Sequence, residues 1–284
     1  MLVRMSFWDR LGIGIASALA ATAGLFLFGW TWETLVGKRR RAREAAARDP
    51  YWGAFAHAYG DASDLPALFA RMTPDRRDPI WGELWQRLCH QGMARTTAGV
   101  AAVPVLVEYA ASLAPNDRIE PLILAGTIAA DASRVVVRAD VQERFDGAMG
   151  MFAALSMESI PTAGDEADFA SLISALAAAE GVGLLAREFV AFLENEIQLD
   201  CIKCGDPIIV STETEPWTFD GAVGESTIIR ERAEHSMDLS RYADLASESG
   251  QVRYASWIRS LEQLVRCTNC NASFSIADAL DESI

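Results

Sequence analysis

The stretch Asp200-Cys201-Ile202-Lys203-Cys204-Gly205 has its counterpart in Arg266-Cys267-Thr268-Asn269-Cys270-Asn271. Each is a C-x2-C pair, and together they take four of the five cysteines in a chain of 284 residues. Two intervening residues let one tight turn aim both sulfurs at a single ion. Two such turns complete a closed four-sulfur shell. Gly205 supplies the permissive backbone a turn of this kind wants. Asn271 holds the same place in the second pair, and Asn tolerates the left-handed conformation best after Gly.

Behind each pair lies a short run that predicts a strand: Pro207-Ile208-Ile209-Val210-Ser211-Thr212 and Ala272-Ser273-Phe274-Ser275-Ile276. A turn followed by a strand, twice, is the layout of a zinc ribbon, so Cys201, Cys204, Cys267 and Cys270 are the expected metal ligands. Structural zinc is the expected ion, and iron fits the same spacing. The 62 residues from 205 to 266 that separate the pairs far exceed the roughly 15–20 of a compact ribbon. Helices are expected within them at Leu239–Ser247 and Val252–Val265, the second with Tyr254, Trp257, Ile258, Leu261 and Leu264 on one face. Such an insert can pack back on the rest of the chain, with the metal pinning its two ends.

Upstream, residues 50–199 read as helices punctuated by Pro, Asp and Gly. Asp78-Pro79 opens one helix, placing Ile80, Trp81, Leu84, Trp85 and Leu88 on an apolar face. A second spans Thr96 to Leu113 with Val103, Leu106, Val107 and Ala110 inward. Others are expected at Ile119–Ala132, Asp140–Met157 and Asp168–Leu199, the last broken near Gly181-Val182-Gly183. The segment Ala67–Asp75 resembles Glu108–Asn116 at a shift of 41 positions, and Pro161 follows Pro115 after 46 more. Helix pairs repeating at ~40–47 residues are the sequence mark of stacked helical repeats.

Before these helices, Leu11 to Trp32 gives 22 residues without a charge. As a helix they span roughly 33 Å, enough for a hydrocarbon core of about 30 Å. Phe7 and Trp8 precede the run, Trp30 and Trp32 end it, and Lys38-Arg39-Arg40-Arg41-Ala42-Arg43 follows. Aromatic flanks and a basic cluster after the run predict a single transmembrane helix with residues 38 onward in the cytoplasm, at the inner or plasma membrane. Small residues within the run also suit a signal-peptide cleavage site. The apolar stretch nevertheless continues to Trp30 before meeting the basic cluster, as a stop in the membrane does. Gly12, Ala16, Ala20 and Gly24 form a small-residue stripe suited to self-association.

The expected organisation is therefore mainly α, in five parts. A short extracytoplasmic end covers 1–10, a transmembrane helix 11–32 and a basic linker 33–49. A helical-repeat domain follows at 50–199, then a zinc-ribbon-like α+β module with a helical insert at 200–284. Residues 1–48 carry eight Lys/Arg against three Asp/Glu, a net of +5, whereas the remaining 17 basic and 36 acidic residues give the body −19. That body repels phosphate backbones, so nucleic acid is not an expected partner.

The stretch Trp81-Gly82-Glu83-Leu84-Trp85-Gln86-Arg87-Leu88-Cys89-His90-Gln91-Gly92, followed by Ala101-Ala102-Val103-Pro104-Val105-Leu106-Val107-Glu108, resembles a group of bacterial HEAT-like (armadillo-like) helical-repeat proteins. Their shared pattern is a tryptophan-rich helix ending in leucine-(x)-histidine-glutamine-glycine, then an alanine-alanine-x-proline helix start. The resemblance covers about residues 50–200. It implies an α-solenoid that binds another protein, and since some members accompany toxin–immunity systems, a toxin is one candidate partner.

No reaction is written in the sequence. Cys89 and His90 are neighbours on a helix, about 100° apart, and cannot pair as thiolate and imidazole, so Cys89 reads as a small buried hydrophobe. With His57, His90 and His235 as the only histidines, a second metal site lacks ligands. Asp278, Asp281 and Glu282 read as solvated surface. P-loop, dinucleotide-binding, H-E-x-x-H and nucleophile-elbow motifs are missing. The expectation is a non-enzymatic, membrane-anchored scaffold or immunity-type protein with a structural zinc site. The alternative is a redox or metal-dependent membrane enzyme that uses the four cysteines.

Overall fold

The computed structural model describes residues 51–89, 95–182, 196–211 and 239–282. It also describes single positions between 186 and 193 and the backbone of strands at 218–221, 224–225 and 227–232. The expected transmembrane helix 11–32, the basic cluster 38–43, the small-residue stripe, His90 to Gly92 and His235 lie outside the described residues. Among the described residues, no helix is long and apolar enough to cross a membrane.

The described residues are mainly helical, with three small sheets among them. A short α1 (Leu65–Phe69) precedes α2 (Pro79–Leu88), which starts as Asp78-Pro79 predicts: Ile80 N–H donates to Asp78 Oδ1 at 2.9 Å. Ile80, Trp81, Leu84 and Leu88 are buried, and Trp85 is half-buried with its indole N–H on Glu120 Oε1 at 2.7 Å. Helix α3 (Thr97–Ala111) is capped by Thr96 Oγ1, which accepts from Gly99 N–H at 2.9 Å. Because α3 begins at Thr97, Pro104 sits in the helix interior and not at the helix start that the resemblance implied. Helices α4 (Ile119–Asp131), α5 (Ala139–Ser159) and α6 (Glu166–Ala179) follow.

Sequence neighbours α3 and α4 pack together, as do α5 and α6, and helices two apart in sequence also meet. Helix α2 packs on α4 and α4 on α6, while α3 packs on α5. Pro74, Pro115 and Pro161 fall in the connections from α1 to α2, α3 to α4 and α5 to α6. A residue that cannot continue a helix therefore marks each of these three connections.

One polar network ties these junctions together. The Arg76 guanidinium donates twice to the Asp168 carboxylate, both at 2.8 Å, and lies 3.8 Å from Glu120. The Asp168 side chain is 8% exposed, and Arg76 is the cation that faces it. Losing one member of a buried pair costs about 3–5 kcal/mol, but Arg76 is itself 48% exposed. Solvent screening therefore reduces the expected loss for Arg76→Ala to roughly 1–3 kcal/mol. Thermal unfolding of the variant beside Arg76→Lys, which keeps the charge, checks this.

The helix expected over Asp168–Leu199 breaks where Gly181-Val182-Gly183 was expected to break it, and its last residues are a strand. Helix α6 stops at Ala179, and Gly181, at φ +85°, takes the left-handed conformation while Val182 N–H bonds back to Ala177 O at 2.9 Å. Residues Glu196–Asp200 form strand β3 instead, with Ile197 and Leu199 inward and Glu196, Gln198 and Asp200 outward. Two short strands, β1 (Ala56–His57) and β2 (Gly60–Asp61), pair near the first described residues.

Between the cysteine pairs, the insert contains strands as well as the expected helices. Strands β3, β4 (Pro207–Ser211), β5 (Thr218–Gly221) and β6 (Gly224–Glu225) form one antiparallel sheet. Strands β7 (Thr227–Arg232), β8 (Gln263–Arg266) and β9 (Ser273–Ser275) form another. Helix α7 (Ser240–Glu248) matches expectation, but α8 (Val252–Ser260) ends early because Gln263–Arg266 is drawn into pairing with β7 and β9. The insert packs back on α6: Tyr242 Oη donates to Glu180 at 2.8 Å, Tyr254 Oη donates to Phe189 O at 2.7 Å, and the Tyr254 ring meets Phe169 edge-on. The short α9 (Ile276–Glu282) then lies against β3, β8 and β9.

Candidate metal centre

Two hairpins build the site, and their backbones follow one plan. In the first, β3 leads into the turn and β4 leads out, with Asp200 opposite Pro207. In the second, β8 and β9 play these parts, with Arg266 opposite Ser273. Cys201 N–H donates to Asp206 O and Gly205 N–H to Cys201 O, at 2.9 and 2.8 Å. The same two bonds recur as Cys267 N–H to Ala272 O and Asn271 N–H to Cys267 O, both at 2.9 Å. Gly205 and Asn271 close the turns at φ +70° and +59°, the left-handed geometry their residue types suggested. Asn271 is the sole non-glycine at positive φ among the described residues, and the turn requires it.

These turns bring all four expected ligands together. The Cys201, Cys204, Cys267 and Cys270 sulfurs lie within 4.8 Å of one another. Cys201 and Cys270 stand 3.6 Å apart, Cys204 and Cys267 3.8 Å. A disulfide requires about 2.05 Å. A tetrahedral ion with metal–sulfur bonds of ~2.3 Å places its sulfurs about 3.8 Å apart. The residues therefore fit a metal ion and do not fit two disulfides. The shell is also saturated, since four sulfurs leave no vertex of a tetrahedron for substrate or water.

The Asp206 backbone hydrogen bond lowers the Cys204 thiol, but desolvation and the three neighbouring sulfurs outweigh it and push the group up to about 12. Four thiols this close become thiolates together when a cation sits among them. Cys201 and Cys267 are buried, Cys270 is half-buried and Cys204 is exposed, so one edge of the shell reaches solvent. Asn269 Nδ2 donates to that outer sulfur, Cys204 Sγ, at 3.8 Å. Sequence reasoning did not single out Asn269. Its signal was its place between the second pair of cysteines, where the first pair carries Lys203.

Other candidate groups are accounted for differently. Cys89 is buried at the end of α2, and burial, aided by the Asp131 charge, pushes its thiol up to about 12. It is a packing residue, as its sequence context suggested. Both nitrogens of the His57 ring are engaged: Nε2 with Asp64 at 3.1 Å, and Nδ1 accepting from Tyr59 N–H at 3.0 Å. No protein-family model, curated protein or solved structure matches the chain.

Proposed function

We propose that the chain is a membrane-anchored, protein-binding scaffold whose helical body is a HEAT-like stack facing the cytoplasm. The observation that carries this reading is that α4 packs along α6 and α3 along α5, while α3 against α4 and α5 against α6 join the two layers. Helix pairs arranged so bury their apolar faces against neighbouring pairs and leave an extended outer surface for a partner. The prolines at the pair junctions, 41 and 46 positions apart, support the same reading. At a net −19, the body favours a partner with a basic face, and the resemblance to immunity-associated repeat proteins makes a toxin one such partner.

The four cysteines hold structural zinc in this account, and they act as a staple. Cys201 closes the hairpin that follows the helical stack, and Cys267 closes the hairpin that follows the insert. One ion therefore joins both ends of the insert while α7 and α8 lie on α6. The ion supplies cross-linking energy and charge neutralisation.

Site-specific photocrosslinking in membranes holding the full chain tests the binding role. Probes replace Glu108 on α3 and Met151 on α5, with a probe at Gln198 on β3 as the comparison; all three positions are exposed. The expected result is one protein adduct shared by positions 108 and 151 and missing at 198. Adducts at none of the three, or at 198 alone, contradict the assignment of binding to the helical stack.

A further inference from the structure

Where the insert meets the helical stack, the two surfaces do not close completely. A cavity of about 450 Å³ lies between the α5–α6 connection on one side and the end of α7 on the other. Its floor is apolar, built by Met157, Ile160, Phe169 and Leu245. Its rim is polar, built by Glu248, Ser249 and Gln251. The volume falls within the ~300–1,000 Å³ of binding pockets.

The rim carries unused polar groups. Among the described residues, the side chains of Glu248, Ser249 and Gln251 make no hydrogen bond or ion pair. Glu248 is the last residue of α7, where the carbonyl end of the helix adds partial negative charge. Arg253, in the first turn of α8, faces Glu166 at 3.9 Å and leaves Glu248 alone. A carboxylate and a helix carbonyl end beside an apolar floor suit a cation on an apolar stem, which is the form of lysine and arginine side chains. Val252, next to Gln251, is 71% exposed and offers an apolar contact to the chain that carries the cation. A second cavity, of about 480 Å³ at the ends of α4 and α6, lacks this character: its acid, Asp146, already accepts from Gln142 Nε2 at 2.8 Å.

We propose that the cavity between α5, α6 and α7 is a docking pocket for a lysine or arginine side chain of a basic protein partner. The stem lies on Met157, Ile160, Phe169 and Leu245, and the charged head reaches Glu248 at the rim. Charge complementarity selects this occupant, because a body of net −19 draws a basic face and repels an acidic one. The inference rests on the scaffold reading above for the existence of a protein partner, and it adds the place and chemistry of one anchor. It also gives the cysteine staple a role, since one wall of the pocket belongs to the stack and the other to the insert.

Two measurements on the full-length protein keep the pocket and the scaffold reading apart. The first titrates n-butylguanidinium, an arginine side-chain analogue, into protein with isotope-labelled methionine methyls in phosphatidylcholine nanodiscs. The Met157 methyl resonance is the readout, and n-butanol is the neutral comparison. The expected midpoint for the cation is about millimolar, as the efficiency of so small a ligand allows. Butanol is expected to bind roughly fivefold more weakly, because an exposed carboxylate and a helix end contribute modestly. Glu248→Gln is expected to shrink that preference to about twofold or less. The second measurement places a photocrosslinking probe at Ser249 in membranes holding the full chain, where it is expected to join the adduct recovered from positions 108 and 151.

Equal midpoints for the two probes, no response at Met157, or a preference unchanged by Glu248→Gln overturns the pocket and leaves the scaffold reading standing. Adducts at 108 and 151 without one at 249 overturn the docking role and again spare the scaffold. Adducts at none of the three positions overturn both.

Discussion

Cys267→Ser is expected to release the bound ion and unfold both cysteine hairpins while the helical stack remains. Zinc bound by four cysteines contributes an apparent ~10–16 kcal/mol in small domains, comparable with or above the 5–15 kcal/mol that holds a typical protein together. The hairpins have little to replace it. Strand β9 is three residues long and β8 four. Helices α2 to α6 keep their own core, including Leu84, Leu106, Leu122, Phe152 and Ile173, all fully buried. Hydrogen exchange of the full chain therefore separates the two parts. Residues 196–211 and 263–275 should lose protection in the variant, and again when a strong chelator strips the wild type, while residues 97–131 keep theirs. If the cysteines served a redox or metal-dependent enzyme, the variant would lose a turnover and keep both hairpins protected.

Gly126→Val is expected to be the most damaging single change within the helical stack. A Cβ added at Gly126 on α4 would lie 2.7 Å from both Cα and Cβ of Ala175 on α6. Real side chains do not approach that closely, and the obstructing atoms belong to the backbone and the first side-chain carbon, so neither can rotate away. The helices must separate, and overpacking of this kind costs about 1–3 kcal/mol for the first added methyl and more for a branched residue. In a protein of this size, each kcal/mol lowers the melting temperature by roughly 2–4 °C. Gly82→Ala on α2 and Gly147→Ala on α5 provide the contrast. Both positions are exposed and nothing lies within 4 Å of the added carbon. Each is expected to be neutral or stabilising by up to about 1 kcal/mol, because alanine favours the helix more than glycine does. Calorimetry on the three variants gives the ranking directly.

What the sequence made legible was local. The knuckles could be read because two cysteines, a two-residue gap and a following Gly205 or Asn271 specify a turn without help from distant residues. Helix α2 could be read for the same reason, with its cap, its proline and its apolar face all inside eleven positions. Strand β3 could not. Glu196-Ile197-Gln198-Leu199-Asp200 alternates outward and inward, yet five residues after a helical run also suit one more turn of helix. Pairing with β4 across the Cys201–Gly205 turn decides the matter. Gln263–Arg266 was misread for a related reason: its strand state depends on partners at 227–232 and 273–275. The close approach at Gly126 was also invisible in sequence, where one glycine among alanines carries no sign of which helix faces it. Asn269 shows the limit at the site itself, since its amide matters only once the facing hairpin brings Cys204 within reach.

The most direct test of the central claim is X-ray absorption at the zinc edge, with metal analysis of the same full-length sample. One zinc per chain with four sulfur neighbours at ~2.3 Å is the expected result, as sulfurs 3.6 and 3.8 Å apart on paired knuckles imply. A metal-free protein whose mass shows the four thiols oxidised to two disulfides, or an ion with oxygen or nitrogen in its shell, would contradict the account.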